Sequence, residues 1–438
     1  MSMDLPTGWE RTTLGIVAPL AYGKALPQGS RSTLGSVPVF GSSGCIDWTD
    51  HALTAGPTLI VGRKGSVGSV FVSDCPCWPI DTVYYVNASP QRNLKFLRYL
   101  IESLSLQRLD KSTAVPGLSR DDYNVVEVRL PPLAEQSRIV GVLEEHLSDL
   151  DHAVANLKSA RSKTSAYLAA SFNAAAMGTL LSDQPSGDKL EWRPFSSTIA
   201  DISQGWSPKC HPEPPTIDDQ WGVIKTTAIQ PARFDSSECK ALPQGFQPRP
   251  DIEIRVGDLL VTRKGPRSRA GVAAAVRQTR SRLMICDTVY RIRLKSERAR
   301  PHFMAIVMSS PTVSSAIDRA KAGISESGLS LTHDRLGAVL VPLPPLDAQE
   351  RIEAEMDRRI EAVERAYADI DLQLARAARL RLSICQSAVS GRLVPQDPTE
   401  KSAGALLAEV RSQSTTRATS SSSPRGLKRA TTPHRANG

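Results

Sequence analysis

Leu130-Pro-Pro-Leu133-Ala-Glu-Gln136-Ser-Arg138-Ile139 and Leu343-Pro-Pro-Leu346-Asp-Ala-Gln349-Glu-Arg351-Ile352 are one phrase written twice, 213 residues apart. Behind the first, Leu143, Leu147, Leu150, Val154 and Leu157 alternate spacings of four and three, which is a heptad seam. Behind the second, Ile352, Met356, Ile360, Val363, Tyr367, Ile370 and Leu374 repeat it. Proline pairs suit the approach to a helix and are excluded from its interior. Gly178 and Gly391, again 213 apart, stand where each helix would stop. The spacing predicts two helices of about 45 residues, roughly 65–70 Å each. A helix with one apolar seam is poorly stable alone, so two such seams predict antiparallel pairing of the helices. Packing of each helix along its own domain is the alternative.

Outward from this phrase, the repeat continues with a drifting offset. Gly117-Leu-Ser119 answers Gly328-Leu-Ser330, Asp81-Thr-Val-Tyr84 answers Asp287-Thr-Val-Tyr290, and Arg63-Lys-Gly65 answers Arg263-Lys-Gly265. Trp9 has a plausible counterpart in Trp192. The order is kept while loop lengths change, as in an internal duplication. Strand-like runs fall at 58–61, 69–72 and 82–86, and again at 258–262, 271–276 and 288–292. Shorter helices are expected at 93–108 and 301–319. The expected fold class is α+β: two pseudo-symmetric, mixed α/β domains separated by two long antiparallel coiled-coil helices. The expected division is a first domain over 1–130, a long helix over 131–180, a linker over 181–190, a second domain over 191–343, and a second long helix over 344–393. A polar basic tail over 394–438 follows, disordered from about 411.

Composition narrows the function. Of 438 residues, 40% are hydrophobic, compatible with solvated helices. No run approaches the roughly 18 apolar residues of a membrane span, and the start has no basic and apolar leader, so a cytoplasmic protein with no membrane partner is expected. Seven scattered cysteines, none in a CxxC pair, read as reduced thiols and supply no metal site. The net charge of +9 is mostly a property of residues 411–438, which hold six Lys/Arg and no Asp/Glu. The remaining body is nearly balanced, so charge points to nucleic acid only where it clusters.

No phosphate loop, no Gly-x-Gly dinucleotide loop and no Asn-Pro-Pro-aromatic signature is present, and the histidines do not cluster. Glu238-Cys-Lys240 with Asp219 fits a nuclease pattern too short to be informative. No catalytic residue is therefore assigned. What remains is a binding constellation: Arg63, Lys64, Gly65 and Ser66 on one turn, and Arg263, Lys264, Gly265, Arg267 and Arg269 on its counterpart. Such turns offer cations to phosphate oxygens and guanine edges. Lys24, Ser42, Ser43 and Lys111 in the first domain, and Lys225, Thr226 and Thr227 in the second, are further DNA-binding candidates. Leu143, Leu147, Leu150, Val154 and Leu157, with Ile360, Val363, Tyr367, Ile370 and Leu374, are the candidates for helix packing and partner docking. Two binding domains held apart by rigid helices suit two half-sites on one duplex, about 34 Å apart for one helical turn.

Two divergent domains, each followed by Leu-Pro-Pro-Leu-x-x-Gln-x-x-Ile and a long heptad helix, resemble the specificity subunit of type I restriction-modification enzymes. The resemblance covers about residues 5–400 and extends to Gly62-Arg-Lys-Gly-Ser-x-Gly68 and Trp78-Pro-Ile-Asp-Thr82. Copy two departs from it at Thr262 and Pro266. The resemblance implies double-stranded DNA as a partner, each domain reading one half of a bipartite, asymmetric target. It further implies two methyltransferase subunits docked on the helices, restriction subunits joining them, and S-adenosylmethionine, ATP and magnesium bound by those partners and none by this chain. The alternative is a coiled-coil scaffold whose β-rich domains bind peptides or proteins.

Overall fold

Pro131 and Pro132 have no N–H to continue the strand Glu127–Leu130, and the chain turns there into a helix, Leu133–Ala176. Gln136 secures that turn: its backbone N–H donates to the Pro132 carbonyl at 2.9 Å and its side-chain amide to the Pro131 carbonyl at 3.0 Å. The second copy repeats the device. Gln349 donates to the Pro345 carbonyl through its backbone at 3.0 Å and to the Pro344 carbonyl through its side chain at 2.9 Å, opening the helix Leu346–Val389. The recurring glutamine thus satisfies carbonyls stranded at a proline corner. Both helices stop as expected. Gly178 (φ +71°) and Gly391 (φ +73°) are left-handed, and the residue after each donates to the Ala174 carbonyl at 2.9 Å and the Ser387 carbonyl at 3.0 Å.

The computed structural model describes residues 5–32, 34–110, 116–181, 190–217, 219–323 and 328–420. The chain divides into two compact units, one of residues 1–155 with 374–438, the other of residues 156–373. Each long helix therefore contributes residues to both units, Leu133–Ala176 almost equally and Leu346–Val389 mostly to the second, rather than forming a segment of its own. The reason is burial. Leu143 and Leu147 sit in the same core as Phe96, Leu97, Leu100 and Ile101 of the helix Leu94–Ser103. Phe172, Ile352 and Met356 sit in the core of the second unit with Phe303 and Ile306.

In unit 1 a four-stranded antiparallel sheet has the order Ala21–Tyr22, Val83–Asn87, Thr58–Gly62, Val70–Ser73. A three-stranded sheet adds Gly44–Thr49, Val37–Gly41 and Trp78–Pro79. A ribbon pairs Glu10–Thr13 with Glu127–Leu130. Unit 2 has the same three pieces in the same order: Ile199–Gln204, Val289–Leu294, Leu259–Thr262, Ala273–Ala275; then Cys239–Ala241, Gly222–Ile224, Leu283–Met284; then Trp192–Pro194 with Leu340–Pro342. The duplication read from short motifs is a duplication of topology.

The α+β class with two long antiparallel helices is borne out. In unit 2 Arg161 pairs with Asp371, while Arg359 donates to the Ser171 hydroxyl at 3.2 Å, so one helix descends as the other rises. In unit 1 Arg381 pairs with Asp151. Leu143, Leu147, Val363 and Ile370 are buried; Leu150, Val154, Leu157, Ile360, Tyr367 and Leu374 are half-buried, so the seam runs where the heptads put it.

Two expectations are corrected. The helix expected over 301–319 is two, Pro301–Met308 and Pro311–Ala320, because Pro311 cannot continue the first and Ser310 caps the second by accepting the Val313 N–H at 3.3 Å. The segment after 394 is not a polar tail throughout. A helix spans Ala403–Ser420, and its Ala403, Leu406 and Leu407 are buried in the core of unit 1 beside Trp9 and Leu14. Disorder was expected from 411, but helix continues to 420; residues 421–438 lie outside the described residues.

Candidate nucleic-acid interface

Strand Thr58–Gly62 delivers Arg63 to the sheet end, where the next strand over carries Asp81-Thr-Val-Tyr84. The two motifs hold each other. The Arg63 guanidinium donates to the Asp81 carbonyl at 3.1 Å and lies 5.6 Å from the Tyr84 ring centre. In unit 2 the Arg263 guanidinium donates to the Asp287 carbonyl at 3.1 Å and lies 5.1 Å from the Tyr290 ring centre. Their backbones match as well: Arg63 donates to the Thr82 carbonyl, Arg263 to that of Thr288. Both arginines are half-buried. Each is first a strut of its own turn, with a cation–π contact worth about 0.5–2 kcal/mol.

The residues beyond each strut are the ones that face solvent. Lys64, Gly65 and Ser66 are exposed, as are Lys264, Arg267 and Ser268. Ser42 and Ser43, in the turn between Val37–Gly41 and Gly44–Thr49, are brought to the first turn. The Ser42 carbonyl accepts from the Ser69 hydroxyl at 2.6 Å, and its hydroxyl oxygen lies 3.4 Å from where a Gly65 side chain would begin. Lys24 is exposed, and its carbonyl accepts from the Trp78 indole at 2.8 Å. Lys111 lies outside the described residues.

In unit 2 the second turn is longer and more tied down. Thr262, where unit 1 has Gly62, accepts the Val272 N–H at 2.9 Å and donates to the Arg269 carbonyl. Arg269 clamps the segment at Thr226 from behind, donating to the Thr226 and Ile229 carbonyls. Lys225 faces Glu238 at 3.7 Å, the Thr227 hydroxyl donates to Glu238 at 2.7 Å, and Thr226 bonds Thr288 at 2.9 Å. Arg267 pairs with Asp318 at 2.7 Å, and Lys321 bonds the same carboxylate at 2.7 Å. Those two cations hold the Asp318 carboxyl below the usual carboxylate range. Of the candidates here, Lys264, Arg267 and Thr227 are exposed, Arg269 belongs to the scaffold, and Gly265 pairs with Leu329.

Sequence reading missed the aromatic part of the surface. Tyr22 is exposed beside this turn, its ring centre 5.0 Å from the Arg63 guanidinium and 5.1 Å from that of Arg120. In unit 2 Trp206 carries the Arg249 guanidinium 4.6 Å above its ring, with Phe246 at 6.1 Å. Lone aromatics carry no signal in a sequence; only strand register sets Tyr22 opposite Tyr84. The loose Asp219, Glu238, Lys240 pattern finds other employment, Asp219 pairing with Arg282 at 3.2 Å. Among the described residues no group of His, Cys, Asp and Glu is placed to hold a metal, and no helix is long and apolar enough to cross a membrane.

The fold and these surfaces define a duplicated protein: two like units, each presenting an Arg-Lys-Gly turn. Residues 6–158 match the family described as the type I restriction modification DNA specificity domain. The chain is 37% identical over 162 residues to the EcoEI specificity subunit of Escherichia coli, covering 37% of this chain and 27% of that subunit's length. It is 25% identical to the EcoKI specificity subunit of Escherichia coli K12, covering 70% of this chain and 68% of that one. A solved type I restriction-modification structure matches with TM-score 0.66 at 18% identity, covering 89% of this chain and all of that one. The HsdS subunit of Thermoanaerobacter tengcongensis matches with TM-score 0.50 at 17% identity, over 89% and 99% of the chains. These two show a shared fold. Residues 6–158 thus match a type I restriction modification DNA specificity domain, and the chain is similar to type I specificity subunits, spanning 27% of the length of one and 68% of another.

Proposed function

We propose that this chain directs a type I restriction-modification system to its DNA, unit 1 reading one half of a bipartite asymmetric target and unit 2 the other. The observation that carries this is the pairing of two equal frames with unequal surfaces. Arg63 and Arg263 stand in equivalent places at the ends of equivalent strands, yet the exposed residues around them differ. Equal frames suit equal partners, and unequal surfaces suit two different half-sites. The chain itself does no chemistry in this reading. Two methyltransferase subunits dock on the long helices and flip and methylate an adenine with S-adenosylmethionine, and restriction subunits use ATP and magnesium. The assembly works on cellular DNA in the cytoplasm.

The test is to express the chain with the methyltransferase subunits of its own system in a methylation-free host and sequence the methylated bases. A split motif with two different halves and an unspecific spacer is expected. Methylation at a continuous or palindromic motif, or none, would refute the reading. Turnover of DNA, ATP or S-adenosylmethionine by the purified chain alone would refute its non-catalytic part.

A further inference from the structure

The strand ends at Gly23 and Gly205 are the same place in the two units. Gly23 donates to the Val83 carbonyl at 3.1 Å and Gly205 to the Val289 carbonyl at 3.4 Å. The next residue donates to the Pro79 carbonyl at 3.0 Å in unit 1 and to the Ile285 carbonyl at 3.1 Å in unit 2. A Cβ on Gly23 would lie 1.9 Å from the Ile80 carbonyl oxygen, and one on Gly205 2.2 Å from that of Cys286. The backbone is pinned against the same neighbour twice. The flanking side chains are not kept: Tyr22 and Lys24 in unit 1 become Gln204 and Trp206 in unit 2.

Tyr22 is held without being buried. It is paired with Tyr84 across the strands, with ring centres 5.1 Å apart and edge-on, yet 47% of it is exposed. Arg63 and Arg120 stand 5.0 and 5.1 Å from its ring centre, and Arg63 is itself fixed by the Asp81 carbonyl. An exposed tyrosine is ordinary in isolation. The duplication makes this one informative. In unit 2 the inner stack of Arg263 on Tyr290 is complete, and the residue opposite Tyr290 is Gln204. The strut works without an outer ring, so Tyr22 is surplus to the fold of unit 1. An exposed aromatic ring packed edge-on against Tyr84, with two guanidiniums close to its centre, is suited to a base beside phosphates.

We infer that Tyr22 is a specificity-determining residue of unit 1, its ring set against a base of the first half-site while Arg120 meets the adjoining phosphate. This rests on the DNA-reading function proposed above and assigns one side chain to one half of the target.

The test uses the full chain with its methyltransferase subunits and reads the methylated motif for wild type, Tyr22→Gln (the residue of the equivalent position in unit 2) and Tyr22→Phe. With Tyr22→Gln, preference at one or two positions of a single half-site is expected to fall roughly 10- to 100-fold, the range of a good base contact. The other half-site stays intact, and Tyr22→Phe keeps most of the wild-type preference. Unchanged preference at every position with Tyr22→Gln overturns the inference, as does equal relaxation of both halves. If Tyr22→Gln abolishes methylation, its melting curve decides: an unshifted curve supports a lost DNA contact, and a curve lowered by several degrees shows a packing role and overturns it. A wild-type chain with no split motif fails the function itself, a result distinct from these.

Discussion

Arg63 and Lys64 are neighbours in sequence and opposites in employment. The Arg63 guanidinium is engaged by the Asp81 carbonyl and two tyrosine rings, while Lys64 is exposed. Lys64→Ala is therefore expected to weaken DNA binding about equally for all sequences, to lower the salt slope by about one unit, and to leave the melting temperature unchanged. Arg63→Ala should lower the melting temperature as well, by a loss of about 1–3 kcal/mol for the charged hydrogen bond and the stacked rings. Salt-titrated binding and calorimetry on both variants check this. A stable Arg63→Ala protein with weakened binding would mean that the guanidinium serves DNA more than its own turn.

At the scale of elements, the helix Ala403–Ser420 has the least expected role. Its Leu406 and Leu407 are 6% and 5% exposed and pack into the core of unit 1, which also contains Leu59, Val61 and Phe96. The Ala403 N–H donates to the Gly8 carbonyl at 2.9 Å, and Arg138 pairs with Glu400 just before the helix. The start of this helix is thus built into the same core as Trp9 and Leu14. Leu406→Ala with Leu407→Ala should destabilise unit 1 by about 2–5 kcal/mol per site. Hydrogen exchange is expected to show lost protection in Thr58–Gly62 and Val83–Asn87 while Leu259–Thr262 and Val289–Leu294 keep theirs. Equal loss in both sets would show that the helix supports the whole protein.

For the whole molecule, the net charge of +9 is a poor guide to the binding surface. Deleting residues 421–438 removes four Lys/Arg and no acid, leaving +5. Non-specific DNA binding should then weaken and its salt dependence become shallower, because fewer counterions are released. Both half-sites of the methylated motif should be unchanged. A shifted motif would place the terminal segment at the bases and revise the assignment of reading to the two units.

The sequence by itself determined the duplication, the fold class and the helix pair, because these depend on local, periodic signals. A heptad seam, a proline corner with its glutamine and a terminal glycine each act through neighbours a few residues away. It also located the Arg-Lys-Gly turns, since their strands and glycines are local too. The tertiary structure decided what those turns do. Arg63 becomes a strut only when sheet pairing brings Asp81 and Tyr84 to it, and Arg269 a clamp only when the carbonyls of Thr226 and Ile229 arrive from 43 and 40 residues away. The missed strands at 37–41, 44–49, 222–224 and 239–241 are short and take their stability from partners distant in sequence. Tyr22 was invisible for the same reason: exposure, register and the approach of two arginines to its ring are properties of packing, and no spacing of residues encodes them.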